Sequence, residues 1–205
     1  MTKIDHIVFD VGQVLLRWDH SLVYRDLIPD KAERDAFLEI MTPWNAEQDR
    51  GARSWEQAEA ELIALHPDKA DWIRAYRRDW LKSVPEAFEE TVAVVRSLIA
   101  DGRDVTLLTN FNDETWVLAN QAYPFLTEPR GATVSGQIKC IKPEPEIYEK
   151  HVATFGLKPE NTLFFDDSAK NVEGARDAAW HAERYEGQWG GGAFRDLLGK
   201  YGVTN

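Results

Sequence analysis

The chain has 205 residues, 43% of them hydrophobic and 29% charged, which suits one globular domain or one domain carrying an insertion. A net charge of −11 excludes non-specific coating of nucleic acid or anionic membrane, so any bound anion must be held by particular groups. The single cysteine, Cys140, excludes an intrachain disulfide and points to a reducing, cytoplasmic setting. No stretch reaches transmembrane length, and the first nine residues carry Lys3, Asp5 and His6 instead of an apolar leader core.

Ile4 to Phe9 reads as a short strand, too apolar to face water on either side. From about Asp19 to Pro85 no strand signal occurs. Asp30 caps a helix through Phe37, Leu38 and Met41. Ser54-Trp55-Glu56-Gln57 opens a second helix that stops near His66-Pro67, and Asp68 to Leu81 reads as a third, with Trp72, Ile73, Tyr76 and Trp80 at helical spacing. Glu47 to Gly51 reads as a solvated turn between the first two. Pro85 opens a helix with Phe88, Val92, Val95 and Leu98 on one face, and Gly102 ends it. Val105 to Leu108 is a strand stopping at Thr109-Asn110, and Asn112 or Asp113 caps the next helix. Tyr123 to Gly136 is less regular. Lys142-Pro143 follows, then a helix from Pro145 to Phe155 closed by Gly156. Thr162 to Phe165 is a strand stopping at Asp166-Asp167, and a helix runs on from Ser168 to Ala178. A weak strand at Ala182 to Tyr185, a flexible Trp189-Gly190-Gly191-Gly192 loop and a helix from Ala193 to Tyr201 complete the chain. Strands and helices alternate on both sides of an all-helical insert. That order predicts an α/β fold: a doubly wound, mostly parallel, Rossmann-like sheet.

Strand ends in such a sheet face the ligand crevice. Four signals fall there or nearby: Asp10, Thr109-Asn110, Lys142 and Asp166-Asp167, with about 150 residues between the first and the last. A carboxylate serves as a nucleophile, a hydroxyl with a following amide holds phosphate oxygens, a lysine neutralises both, and paired carboxylates take a hard cation. The bland alternatives are ordinary ones: a strand-end acid capping a turn, an acidic pair capping a helix, a surface lysine. The histidines show no metal-ligand spacing.

The segments Phe9-Asp10-Val11-Gly12, Leu107-Leu108-Thr109-Asn110, Lys142-Pro143 and Phe164-Phe165-Asp166-Asp167-Ser168-Ala169-Lys170-Asn171, in that order, resemble the four motifs of the haloacid dehalogenase (HAD) superfamily. The likeness covers nearly the whole chain. The helical insert is similar to a subfamily I cap, and bacterial sugar-phosphate phosphatases of the glucose-1-phosphate type are nearest in flavour. The resemblance implies a core of residues 1–17 and 86–205, a cap of residues 18–85, and a cytoplasmic Mg²⁺-dependent phosphatase, monomer or homodimer, acting on a small phosphorylated metabolite without nucleic-acid or membrane partners. It implies that Asp10 attacks phosphorus to form an aspartyl phosphate, that Thr109 and the Asn110 amide hold phosphoryl oxygens, and that Lys142 steadies both. Asp10, Asp166, Asp167 and the Gly12 carbonyl would hold Mg²⁺.

Gly12 departs from the pattern, for phosphatases of the superfamily usually carry there the Asp that protonates the leaving alcohol and then activates water. That help is worth about 10²–10⁴ in rate. The sugar-phosphate phosphatases tolerate Gly at this place, so activity is still implied. Either the leaving group departs without a full proton, or another group supplies one, with Asp19, His20 and Glu47 as candidates. Two other readings compete. A 2-haloacid dehalogenase would use Asp10 on carbon, where halide needs no proton, but that class does without the metal and an acid pair such as Asp166-Asp167. A non-catalytic phospholigand-binding protein has only Gly12 in its favour. Trp18, Trp44, Trp55, Trp72 and Trp80 are expected mainly as cap core, with one or more lining the cleft as the sharper alternative.

Overall fold

The computed structural model describes residues 3–203. Five strands, β1 His6–Phe9, β2 Asp104–Thr109, β3 Ala132–Val134, β4 Thr162–Asp166 and β5 His181–Arg184, form one parallel sheet in the order β3-β2-β1-β4-β5. Side-chain alternation divides the interior in two. Ile7, Phe9, Leu107 and Phe165 pack on one face, while Val8, Leu108 and Phe164 pack on the other. All seven are buried, as strands covered on both sides must be. Helices α5 (Glu89–Ala100) and α10 (Gly190–Lys200) cover the first face through Val94, Val95, Leu98, Phe194 and Leu198. Helices α6 (Asp113–Ala122) and α7 (Ser135–Ile138) follow β2 and β3, and helices α8 (Pro145–Phe155) and α9 (Ala169–Asp177) cover the second face through Ile147, Tyr148, Val172 and Ala175.

Between β1 and α5 the described residues form no strand and four α-helices: α1 Ser21–Tyr24, α2 Lys31–Arg50, α3 Trp55–Leu65 and α4 Ala70–Arg78. Asp30 and Ser54 cap α2 and α3 by accepting from Glu33 and Gln57 amides, as their sequence positions predict. An aromatic cluster holds this layer together. Tyr76 lies 5.9 Å from Trp55 and 6.1 Å from Trp44 (ring centroids), and Trp72 packs edge-on against Phe37. Trp44, Trp55 and Trp72 are therefore anchors of the helical layer.

Several elements differ from their sequence reading, each for a local reason. Helix α2 runs through Pro43 to Arg50, so Glu47 to Gly51 is its last turn and not a solvated loop. Gln48 there is buried, and Gly51 closes the helix at φ +70°. The third helix breaks at Asp79 (φ −112°, ψ 18°), and a tight turn at Trp80–Ser83 replaces its end. Helix α5 starts at Glu89, not at Pro85, because residues 86–88 run extended against the exit of β1. The amides of Arg17 and Phe88 donate to the Glu86 and Leu15 carbonyls at 3.0 and 2.9 Å. The irregular stretch from Tyr123 conceals edge strand β3, whose three residues are too few to show a period. Trp189 to Gly192 is no flexible loop. Gly190 begins α10, and the Gly191 amide donates to Glu90 at 2.9 Å, a close approach that a side chain there would block.

Candidate active site

Strand β1 is central, with β2 on one side and β4 on the other, so the chain reverses its winding beside β1. The carboxyl ends of these three strands form the crevice in which open α/β sheets bind ligands. Topology thus brings together what the sequence separates. Asp10 follows β1, Thr109 ends β2 with Asn110 next, and Asp166 ends β4 with Asp167 next. One oxygen each of Asp10, Asp166 and Asp167 lies within 4.8 Å of the others.

Lys142 sits beneath this cluster, buried, with its ammonium 2.8 Å from Asp10 Oδ1 and 2.7 Å from Asp166 Oδ2. It also donates to the Leu108 carbonyl at 2.9 Å and to Asp166, while Asp10 meets it as an ion pair. Burial alone would lower the Lys142 pKa. Asp10 and Asp166 outweigh that effect and raise it, so the ammonium stays charged. Asn110 fixes the loop carrying it. The Asn110 side chain accepts from the Lys142 amide at 2.8 Å and donates to the Lys142 carbonyl at 3.1 Å. The sequence marks Asn110 only for its main-chain amide; this side-chain clamp across 32 residues has no sequence signal.

The acids differ in what they have left to give. Asp166 accepts from the Ser168 amide (2.8 Å) and from Asn171 Nδ2 at both oxygens (3.0 and 3.1 Å), besides Lys142. Asn171 is thereby a positioning residue for Asp166. Asp10 Oδ1 is buried and makes no hydrogen bond among the described residues, although the Lys142 ammonium pairs with it by charge at 2.8 Å. Burial raises the Asp10 pKa, with Lys142 pulling the other way, and burial followed by Asp166 raises Asp167 to about 6. An under-bonded buried carboxylate oxygen, an all-oxygen donor set and clustered negative charge fit a hard divalent cation.

The carboxylates open into a cavity of about 210 Å³. Asp10, Gly12, Thr109, Asn110 and Asp167 form its floor. Trp18, Tyr76, Trp80 and Phe111 supply aromatic wall, so two of the five cap tryptophans do line the cleft. Lys142 and Asp166 lie behind the lining and not on it. A Cβ built on Gly12 meets nothing within 4 Å, which leaves open space where an acid–base side chain would stand.

The three proton-donor candidates named from sequence do not reach this cavity. Asp19 bonds Ser21 and, with His20, lines a separate surface hollow, and Glu47 is exposed. The acid of the helical cap that does line the cavity is Asp49, two residues beyond Glu47 and missed by the sequence reading. Its signal was the helical face itself. Met41, Trp44, Asn45, Gln48 and Asp49 share one side of α2, so polar groups ride on an apolar stripe.

The comparisons agree with this architecture. A family model described as haloacid dehalogenase-like hydrolase matches residues 4–179. A HAD-like family hydrolase from Porphyromonas gingivalis is similar in structure at a TM-score of 0.75 and 25% identity, covering 95% of this chain and 98% of that one. A HAD-family enzyme from Bacteroides thetaiotaomicron, in complex with magnesium and inorganic phosphate, aligns at 0.71 with 20% identity over 90% of this chain and 95% of its own. A dehalogenase in an intermediate complex aligns at 0.65 with 21% identity, over 90% and 85%. Among curated proteins, bifunctional epoxide hydrolase 2 of Rattus norvegicus is 40% identical over 58 residues, a match spanning 28% of this chain and 9% of the rat protein's length. The chain belongs to the haloacid dehalogenase-like hydrolase family.

Proposed function

We propose that this hydrolase is a Mg²⁺-dependent phosphomonoesterase that transfers the phosphoryl group of a small phosphorylated metabolite to Asp10 and then to water. The observation that carries the reading is the cluster of Asp10, Asp166 and Asp167 above the Lys142 ammonium. Asp10, Asp167 and the Gly12 carbonyl would hold the ion, while Asp166, already hydrogen-bonded at both oxygens, completes the charge and fixes Lys142. Mg²⁺, when bound, neutralises the phosphoryl oxygens so that one anion approaches another. Lys142 favours the ionised form of Asp10 against the effect of burial. Thr109 and the Asn110 amide hold the phosphoryl oxygens. Residues 18–85 act as a cap whose aromatic wall seats the organic part, a sugar in the reading we favour, and excludes water from the acyl phosphate.

The dehalogenase reading fits less well. A 2-haloacid brings its own carboxylate, and no lysine or arginine lines the cavity among the described residues. Phosphate release from a panel of phosphorylated metabolites should require Mg²⁺ and stop with EDTA. Asp10→Asn should lower kcat/KM by about 10⁴-fold or more, the scale seen when a nucleophile is removed. Chloride release from 2-chloropropionate without Mg²⁺, alongside no phosphate release from any ester, overturns the proposal.

A further inference from the structure

The phosphatase reading leaves one step without a residue. A poor leaving alkoxide must gain a proton as the P–O bond breaks, and Gly12 has no side chain to give it. We propose that Asp49, projecting from the last turn of α2 into the catalytic cavity, is the acid–base residue of this site.

The cap helix is pinned to the core at that turn. Asn112 Nδ2 donates to the Gln48 carbonyl at 3.0 Å, and Ser135 Oγ donates to the Asp49 carbonyl at 2.5 Å. Arg50 makes a bidentate ion pair with Glu144 (2.7 and 3.0 Å), just beyond Lys142. Gly51 allows the closest contact, for a Cβ there would overlap the Gly136 carbonyl oxygen. Asp49 is thus held by main-chain contacts to the loops after β2 and β3, not by a mobile side of the cap. A relay sets its side chain: Tyr76 Oη donates to Asn45 Oδ1 at 2.7 Å, and Asn45 Nδ2 donates to Asp49 Oδ2 at 3.0 Å.

Charge argues the same way. The cavity must admit a phosphate dianion, yet among the described residues no lysine or arginine lines it beside Asp49, and Asp10 and Asp167 already supply two carboxylates. An ionised Asp49 would repel the substrate; a protonated one donates to it. Asp10, just after β1, and Tyr76, on α4, line the same cavity as Asp49. Burial, with Asp10 adding to it, holds the Asp49 carboxyl well above the usual carboxylate range, against hydrogen bonds from Asn112 and Asn45.

The steps balance. As the Asp10 carboxylate oxygen bonds to phosphorus and the P–O bond to the alcohol breaks, the Asp49 proton passes to the leaving oxygen, giving free alcohol, aspartyl phosphate and an Asp49 carboxylate. That carboxylate then takes a proton from water as the water oxygen bonds to phosphorus. The Asp10–phosphate bond breaks, releasing hydrogen phosphate and restoring the Asp49 acid.

The inference rests on the phosphatase reading, and the test separates the two. With Mg²⁺, wild type and Asp49→Asn are compared on glycerol 2-phosphate, whose alkoxide needs a proton, and on 2,4-dinitrophenyl phosphate, whose leaving group does not. Asp49→Asn should lose about 10²–10⁴ in kcat/KM on the alkyl ester, with a loss on the aryl ester at least about 30-fold smaller. It should also show a stoichiometric burst of dinitrophenol ahead of slow turnover, because water activation is lost too. Adding Gly12→Asp to Asp49→Asn should restore the alkyl reaction at least about tenfold. Equal losses on the two esters, or a change in KM alone, overturn the role of Asp49 and leave the phosphatase intact. A wild type that hydrolyses neither ester overturns both.

Discussion

The sheet and the helical cap build one cavity by different means. In the sheet, each functional residue is placed by the main chain, at the point where a buried strand ends. Asp10, Thr109 and Asp166-Asp167 converge because β1 lies between β2 and β4. In the cap, function depends on which face of a helix a side chain occupies and on where that helix is pinned. A strand end can be read from a short apolar run followed by a polar residue. The orientation of α2 depends on Gly51, Asn112, Ser135 and Glu144, three of which lie far away in the chain.

This contrast explains what the sequence disclosed. The parallel sheet and the strand-end acids follow from apolar runs, and the place of Lys142 beside Asp10 follows from the resemblance of four motifs in order. What escaped was tertiary. Strand β3 has three residues and takes its identity from pairing with β2. Asn110 and Asn171 act through side-chain bonds to groups 32 and 5 residues away. Asp49 looked like part of a solvated turn because Glu47, Asp49 and Arg50 are charged, although only Glu47 of the three is exposed. Charge density there reported composition, not direction.

The first way to test the contrast lies on the sheet side. His151 of α8 is buried between Thr106 of β2 and Thr133 of β3, at 3.0 and 2.8 Å, and so joins the edge strand to its neighbour. Burial, followed by Arg130 and Lys142, lowers its pKa to about 3. The unfolded chain takes up this proton near pH 6.5, and the folded chain only near 3. Stability from the neutral ring is therefore complete above about pH 6.5 and is lost as pH falls toward 3. Urea unfolding of wild type and His151→Gln should show wild type losing about 3 kcal/mol relative to the variant between pH 7 and pH 4. A difference that does not move with pH would remove His151 as a neutral tie for β3.

The next largest effect probes the pin between cap and sheet. Gly51 needs both its left-handed backbone and its missing Cβ, since the nearest atoms to an added carbon belong to the Gly136 main chain. Gly51→Ala should cost about 2 kcal/mol by thermal or urea unfolding, from backbone strain and overpacking together. It should also lower turnover, because Asp49 sits two residues before the displaced contact. A fully stable, fully active variant would mean that the cap reaches its position without this approach.

The smallest effect is expected at Gly12, and it separates the two glycines of the site. Gly51 lies where the cap meets the sheet and has no room. Gly12 lies on the cavity floor, where an added Cβ touches nothing within 4 Å and no left-handed backbone is imposed. Gly12→Ala should therefore change unfolding free energy by less than about 0.5 kcal/mol, the range of substitutions that disturb no packing. Such a result would show that the fold does not demand glycine at this position, so the open space above Asp10 belongs to the chemistry of the cavity. A loss of 2 kcal/mol or more would instead make Gly12 a packing requirement, and the proton donor at α2 would then be a consequence of that requirement and not a free choice of where the acid stands.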